Sequence, residues 1–359
     1  MDSQSDAHRE HPLIPELSDL DGRGAGLFTA FAVLRLVRKG QTRAGKPYLD
    51  VRLADRSRTV AAKVWSDSGR AMQTAEQLEL GTHVKVLFEI DSFKGALQLN
   101  VKGLRRATIG EPGYDPEALV DEGHALVEGL LVDTLVFDIE TVPAVELRKV
   151  PPTVAQAVTK YADRQDWDEG KVMSLSPYFG KVISLAIGDG EAAVDEQKQT
   201  VFVVTPDDVP VRGELPEWVR PVTEQELLQA FWALAGHASV VVTYNGRNFD
   251  VPFLIGRSLI HDIPVRVDLQ GNPFSLRPHL DLYLAMGGRN GRGPASLDVV
   301  CWAFGMPSPK EVMDGSMVAT SYARGDVRKI AEYNAGDVKA TTAVYQRVRD
   351  GLLRYRDDW

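Results

Sequence analysis

The stretch from Val136 to Pro143, VFDIETVP, sets two carboxylates into a run of Val, Phe and Ile. In an extended strand, side chains alternate, so Leu135, Phe137 and Ile139 share one face while Val136, Asp138 and Glu140 share the other. An otherwise apolar strand belongs in a core. Two acids pointing the same way there would each cost several kcal/mol to desolvate unless a cation neutralised them. The strand is therefore confined to a place where solvent or a cation reaches its Asp138 face. Alone, Asp-x-Glu also reads as a solvated strand end, and other residues must decide.

Two later segments bear on the choice. In VVTYNGRNFDVPFL an apolar strand ends at Tyr244-Asn245-Gly246, and Asp250 stands where a helix starts, a position at which Asp also serves as an N-cap. In IAEYNAGDVKATTAVY, Tyr333 and Asp337 are four residues apart and share a helix face, where they could simply hydrogen-bond at the surface. Around these segments the chain reads as strands at 134–141, 181–190, 199–206 and 238–245. Helices are expected at 223–236, 250–261, 295–305 and 326–350, which is an α/β layered pattern.

The preceding region has a different character. LFTAFAVLRLVRK, PYLDVRLADRS, TVAAKVWS, HVKVLFEIDSF and ALQLNVKGLRRAT read as five short strands separated by turn residues, with a helix in SGRAMQTAEQLEL between the third and fourth. That order is expected of an OB-fold barrel. Leu49, Val51, Leu53, Val60, Ala62 and Val64 form inward sets, which leaves Tyr48, Arg52, Lys63 and Trp65 outside. Aromatic and basic side chains on such a face suit single-stranded nucleic acid, and Arg38, Lys39, Arg43 and Lys46 would extend the path. The alternative is a solvated barrel wall.

Charge follows the same division. Between Arg23 and Thr108 there are 16 basic and 7 acidic residues; the rest of the chain holds 25 basic and 43 acidic. A net charge of -9 therefore conceals a basic module joined to an acidic one. The expected organisation is a flexible tail at 1–22, the barrel at 23–110, a linker with one helix at 111–131, and the α/β domain at 132–359. The single cysteine, Cys301, excludes an intrachain disulfide and a cysteine metal cluster. The start of the sequence is polar and acidic, and no run approaches the roughly 18 apolar residues of a membrane span. A cytoplasmic location without membrane contact is the expectation.

Taken in order, Asp-x-Glu, Asn-x-x-x-Phe-Asp and Tyr-x-x-x-Asp resemble the DEDD superfamily of 3′-to-5′ exonucleases, in its tyrosine subclass, on an RNase H-like fold. SPYFGKVISLAIG, HLDLYLAM, ASLDVVCWAFGMPSPKEVMDGSMV and YNAGDVKATT are similar to the stand-alone branch related to the proofreading exonuclease of family B DNA polymerases. This resemblance spans about 132–350. It implies a mixed sheet flanked by helices, in which Asp138, Glu140, Asp250 and Asp337 hold two Mg²⁺ or Mn²⁺ ions and Tyr333 orients the attacking water. The histidine subclass would place His at 332, where this chain has Glu332.

The same resemblance suggests that Asn245 and Phe249 hold the terminal nucleotide or the strand end, and that Arg247 and Arg257 touch phosphate or face solvent. His279 and Asp281 are expected to pack or to support the site residues from behind. The implied partner is single-stranded DNA or RNA with a free 3′ end, DNA being slightly favoured. GKPYLDVRLADRSRTVAAKVW also resembles the OB domain of a bacterial exoribonuclease family whose chemistry lies on an HD-type metal domain. Here the lone pair His261-Asp262 lacks the further spaced histidines that such a site needs. The alternatives left open are an exoribonuclease in RNA turnover and a catalytically silent single-strand-binding protein.

Overall fold

A computed structural model describes residues 11–42, 44–93, 96–194, 198–272, 275–287, 296–307, 313, 315–356 and 359. Arg43, expected on the nucleic-acid path, lies outside them. The chain divides into two compact units, Met1–His124 and Ala125–Trp359.

In the first unit, β1 (Leu13–Ile14) lies parallel to β2 (Leu27–Gln41), followed by β3 (Pro47–Ala54), β4 (Thr59–Trp65), α1 (Gly69–Gln77), β5 (His83–Phe93) and β6 (Ala96–Arg106). The sheet runs β1-β2-β3-β4-β6-β5, and β2 pairs again with β5, which closes a five-stranded barrel. Among the described residues, only β4 and β6 pair in parallel within the barrel: α1 carries the chain from β4 to β5, and β6 returns antiparallel to β5 alongside β4. This order is that of an OB-fold. The alternation expected for Leu49, Val51, Leu53, Val60, Ala62 and Val64 holds, since all six are buried.

Two expectations change here. For residues 11–21 a flexible tail is corrected: Ile14, Leu17 and Leu20 enter the barrel core, and Asp55 accepts the Leu17 backbone N–H at 2.6 Å. The single helix expected in the linker is also absent. Residues Glu117–Leu119 and His124–Val127 form separate 3₁₀ turns. Gly123 and Gly129 each weaken an α-helix by about 1 kcal/mol, and Gly129 adopts φ +75°. The segment is instead held by tertiary contacts. Tyr114 packs on Phe31 at 5.0 Å between centroids, and Arg105 donates to Glu111 at 2.6 Å. That bond draws the Glu111 carboxyl down to about 2.

The second unit contains β7 (Thr134–Pro143), α2 (Pro152–Gln165), α3 (Glu169–Ser174), β8 (Gly180–Asp189), β9 (Thr200–Val203), β10 (Val219–Pro221) and α4 (Glu224–His237). Then come β11 (Val240–Thr243), α5 (Asp250–Ile260), β12 (His279–Asp281), α6 (Leu282–Gly287), α7 (Leu297–Phe304), α8 (Val318–Ala323) and α9 (Val327–Gly351). The mixed sheet has the order β10-β9-β8-β7-β11-β12. β7 lies inside it, antiparallel to β8 and parallel to β11.

The period-two pattern of β7 is used on both sides. Leu135, Phe137 and Ile139 pack with Leu227, Phe231 and Trp232 of α4 and Val251, Phe253 and Leu254 of α5. Val136 packs with Ala335, Val338 and Val344 of α9. In α9, Ala331, Ala335 and Val338 recur at helical spacing, so one stripe of the helix lies on the sheet. α4 is fixed at its start by a capping box between Thr223 and Glu226.

Helices α2 and α3, between β7 and β8, were not expected. Their signals are Pro152 at the first helical turn and the i, i+4 pair Val158 and Ala162, both buried. No helix among the described residues is long and apolar enough to cross a membrane.

Candidate active site

Asp138 and Glu140 sit two residues apart on β7 and face α9, the helix that supplies Tyr333, Asn334 and Asp337. Oxygen atoms of Asp138, Glu140 and Asp337 all lie within 4.8 Å of one another. The acids that the sequence places on one strand face are thus met by an acid, Asp337, far along the chain on α9. Asp250 is not in that group of three, but it adjoins it. Its Oδ1 accepts the Ile139 backbone N–H at 3.3 Å, and its charge acts on both Asp138 and Glu140. It is also not a helix cap: Phe249 is the N-cap and Asp250 the first helical residue.

Burial and mutual repulsion dominate the electrostatics. Burial first, then Asp250, Asp337 and Glu140, hold Asp138 well above the usual carboxylate range. Burial, then Asp337 and Asp250, do the same for Glu140. Asp250 rises to about 7, again mainly through burial, although backbone N–H donors oppose the shift. Tyr333 hydrogen-bonds Asp337, and burial followed by the surrounding carboxylates pushes its phenol far upward. In the cation-free protein its hydroxyl is therefore a protonated donor.

Crowded oxygen-only ligands with excess negative charge fit a hard divalent cation better than zinc or copper, which favour nitrogen and sulfur.

The turn carrying Asn245 is built from backbone demands. Asn245 adopts φ +64°, a left-handed conformation that Asn tolerates. Asp281 accepts N–H bonds from Asn245, Arg247 and Tyr283, each at 3.0 Å. His279 is fully buried between Thr243 Oγ1 at 2.8 Å and the Leu269 carbonyl at 2.9 Å, and burial draws it down to about 4. The expected packing roles of His279 and Asp281 agree with these contacts. Phe249 packs on Phe253, with centroids 5.6 Å apart, and on the core beneath.

Both readings of Arg257, phosphate contact and solvated surface, are corrected. Arg257 is 8% exposed, and its guanidinium donates to Glu224 at 2.8 and 2.7 Å and to the Pro177 carbonyl at 3.1 Å. Arg247 is also turned inward, donating to the carbonyls of Gly271 and His279. His261 contacts Glu224 at 3.0 Å and belongs to this buried network.

Sequence reading passed over Asn334, which is fully buried. Its Nδ2 donates to Asp138 Oδ2 at 2.7 Å, and its Oδ1 accepts from Ser184 Oγ at 2.8 Å. Its only signal was an amide on the same helix stripe as Ile330 and Val338.

On the barrel, Tyr48 and Trp65 are register partners with ring centroids 5.4 Å apart. Tyr48 lies over the backbone of Gly40, its cross-strand neighbour, where an added Cβ would meet the ring at 2.5 Å. Lys63 Nζ stands 3.8 Å from the Tyr48 centroid and 2.7 Å from Asp50 Oδ1. Part of the expected basic path is likewise engaged, because Arg38 pairs with Asp50 and Lys39 with Glu76. Arg52 is exposed and lines, with Arg58 and Gln98, a groove of about 330 Å³. Lys46 is exposed in the β2–β3 turn.

Fold and site define an α/β domain with an acidic pocket suited to divalent cations, preceded by an OB-type barrel. Residues 214–353 match the family described as a predicted 3′-5′ exonuclease related to the exonuclease domain of PolB. That span holds Asp250, Tyr333 and Asp337, while Asp138 and Glu140 precede it. The match and the acidic cluster together support a metal-dependent 3′-5′ exonuclease.

Among solved structures, the family B DNA polymerase of Pyrobaculum calidifontis aligns with TM-score 0.41 and 14% identity, over 89% of this chain and 46% of the polymerase. The chain thus spans less than half of that protein. A mitochondrial single-stranded DNA binding protein of S. cerevisiae aligns with TM-score 0.21 and 17% identity, over 24% of this chain and 100% of its own. An OB domain from Thermoplasma acidophilum aligns with TM-score 0.22 and 13% identity, over 29% and 95%.

Proposed function

We propose that this protein is a metal-dependent 3′-to-5′ exonuclease of the tyrosine subclass, which shortens single-stranded nucleic acid, DNA in preference to RNA, captured by its barrel. The convergence of Asp138, Glu140 and Asp337 oxygens within 4.8 Å carries this reading. Asp138, Glu140, Asp250 and Asp337 would hold two Mg²⁺ or Mn²⁺ ions, whose charge acidifies water and offsets the charge of a phosphodiester.

The chain's own groups have distinct tasks. Tyr333, kept protonated, donates a hydrogen bond and orients water without acting as a base. Asn245 and Phe249 border the start of α5, where the terminal nucleotide would rest. The barrel raises the local concentration of strand through Trp65, Tyr48, Lys63, Arg52 and Lys46. Its basic character compensates for the acidic domain that follows it.

The experiment supplies purified protein with 5′-labelled single-stranded DNA and RNA and Mg²⁺ or Mn²⁺, beside Asp138→Ala and Asp337→Ala. A ladder shortening from the 3′ end, absent in both variants and faster on DNA, is the expected result. No ladder on either substrate overturns the reading. A faster ladder on RNA replaces it with exoribonuclease activity, which the likeness of the barrel sequence to an exoribonuclease domain would favour.

A further inference from the structure

The bridge between the sheet and α9 is made by Asn334. Ser184 stands directly opposite Glu140 in the β7–β8 register, so the two share a face of the sheet. Asn334 is inserted between Ser184 and Asp138, with Ser184 and Asn334 both at 0% exposure. The ends of its amide are not interchangeable. The ionised Asp138 that a bound cation requires is acceptor-only, so in that state the atom facing its Oδ2 at 2.7 Å is the donating Nδ2. Oδ1 is then left to accept the Ser184 hydroxyl at 2.8 Å.

A fully buried amide with both ends satisfied has one orientation, and it occupies one of the two Asp138 oxygens. The carboxylate of Asp138 would otherwise rotate broadly about its terminal torsion, and repulsion from its neighbours favours turning away from them.

Building on the proposed metal site, we infer that Asn334 is a positioning residue that locks the Asp138 carboxylate, through the Ser184–Asn334–Asp138 chain, in the orientation a divalent cation requires. A buried amide could instead serve only to staple α9 to the sheet, in which case its loss lowers stability and leaves cation affinity alone. The two roles separate when binding is measured apart from catalysis. Partners that orient a metal ligand typically contribute 10- to 100-fold in affinity.

The test measures Mn²⁺ binding to the full chain by calorimetry and by loss of the free-ion electron paramagnetic resonance signal. It compares wild type, Asn334→Ala, Ser184→Ala and Asp138→Ala, and adds Asn334→Ala in the Asp138→Ala background. Melting in EDTA confirms that each variant is folded. Asn334→Ala is expected to weaken Mn²⁺ binding roughly 10- to 100-fold, and Ser184→Ala to weaken it less. Asn334→Ala should add nothing once Asp138 is absent.

Asn334→Ala affinity within twofold of wild type overturns the inference. So does an equal loss in the Asp138→Ala background. Should Asn334→Ala fail to fold, Ser184→Ala within twofold of wild type overturns it instead. Wild-type protein that binds Mn²⁺ in this pattern but cleaves no strand overturns the nuclease reading alone.

Discussion

The ammonium group of Lys63 lies 3.8 Å from the centre of the Tyr48 ring while the same nitrogen is 2.7 Å from Asp50. With Gly40 beneath the ring and Lys63 near it, Tyr48 is already engaged by the protein. Trp65 is less so, since Lys63 is 5.7 Å from its ring. Trp65→Ala should therefore weaken single-strand binding by about 1 to 3 kcal/mol, the usual contribution of a stacked base. Tyr48→Ala should cost less. Fluorescence anisotropy with a labelled oligonucleotide measures both, and a larger loss for Tyr48→Ala contradicts the assignment.

Residues 125–359 form a compact unit with its own core. Without the barrel, that unit is expected to retain cation-dependent cleavage with a raised KM and a shallower dependence on salt, because fewer cations meet phosphates. Unchanged KM and salt slope would refute the division of labour.

Tyr333 acts through its hydroxyl proton in the proposed scheme. Tyr333→Phe should lower kcat by about 10²-fold, the scale for removing one preorganised donor, with Mn²⁺ affinity within twofold of wild type. A log kcat against pH profile that loses an ionisation in the variant would show that Tyr333 is a base after all.

In the cation-free protein, Asp138 and Glu140 hold protons above the ordinary range and Asp250 titrates near 7. Unfolded carboxylates titrate near about 4. Between these values the folded state binds more protons than the unfolded chain, so this contribution to stability is complete at low pH and is lost as pH rises through the folded values. Asp138→Asn in EDTA should accordingly raise Tm, and more at about pH 8 than at about pH 5. Saturating Mn²⁺ should stabilise wild type more at the higher pH, since cations bind the deprotonated form. A larger effect of Asp138→Asn at the lower pH contradicts the sign.

Glu224 is buried with Arg257, their side chains 10% and 9% exposed. Burial pushes its carboxyl up, but the hydrogen bonds from Arg257 and the Val182 N–H leave it below the ordinary value. Arg257→Ala removes its two guanidinium bonds and leaves that buried charge only the Val182 N–H and His261, which should cost about 3 kcal/mol of stability in urea unfolding. A cost below about 1 kcal/mol would mean that water reaches the site freely.

The barrel and the β7 face were legible because both depend on a period of two that local sequence displays. Leu49, Val51 and Leu53 had to face inward together, and Asp138 had to share a face with Glu140. Asn334 and Arg257 were not legible for the opposite reason. An amide or a guanidinium within an apolar pattern shows that a polar partner exists, but the partners, Ser184 and Glu224, are distant in the chain and supplied only by tertiary packing. Asp250 shows the limit between the two: its helix start was evident, whereas its bond to Ile139 was not.

Asp138 is separated from the α9 residue that grips it by 196 positions. During synthesis β7 is made before α9, so its two acids wait for the partner residues that α9 brings. Under the proposed activity, hydrolytic competence is a property of the docked helix and not of the strand that bears the first two acids.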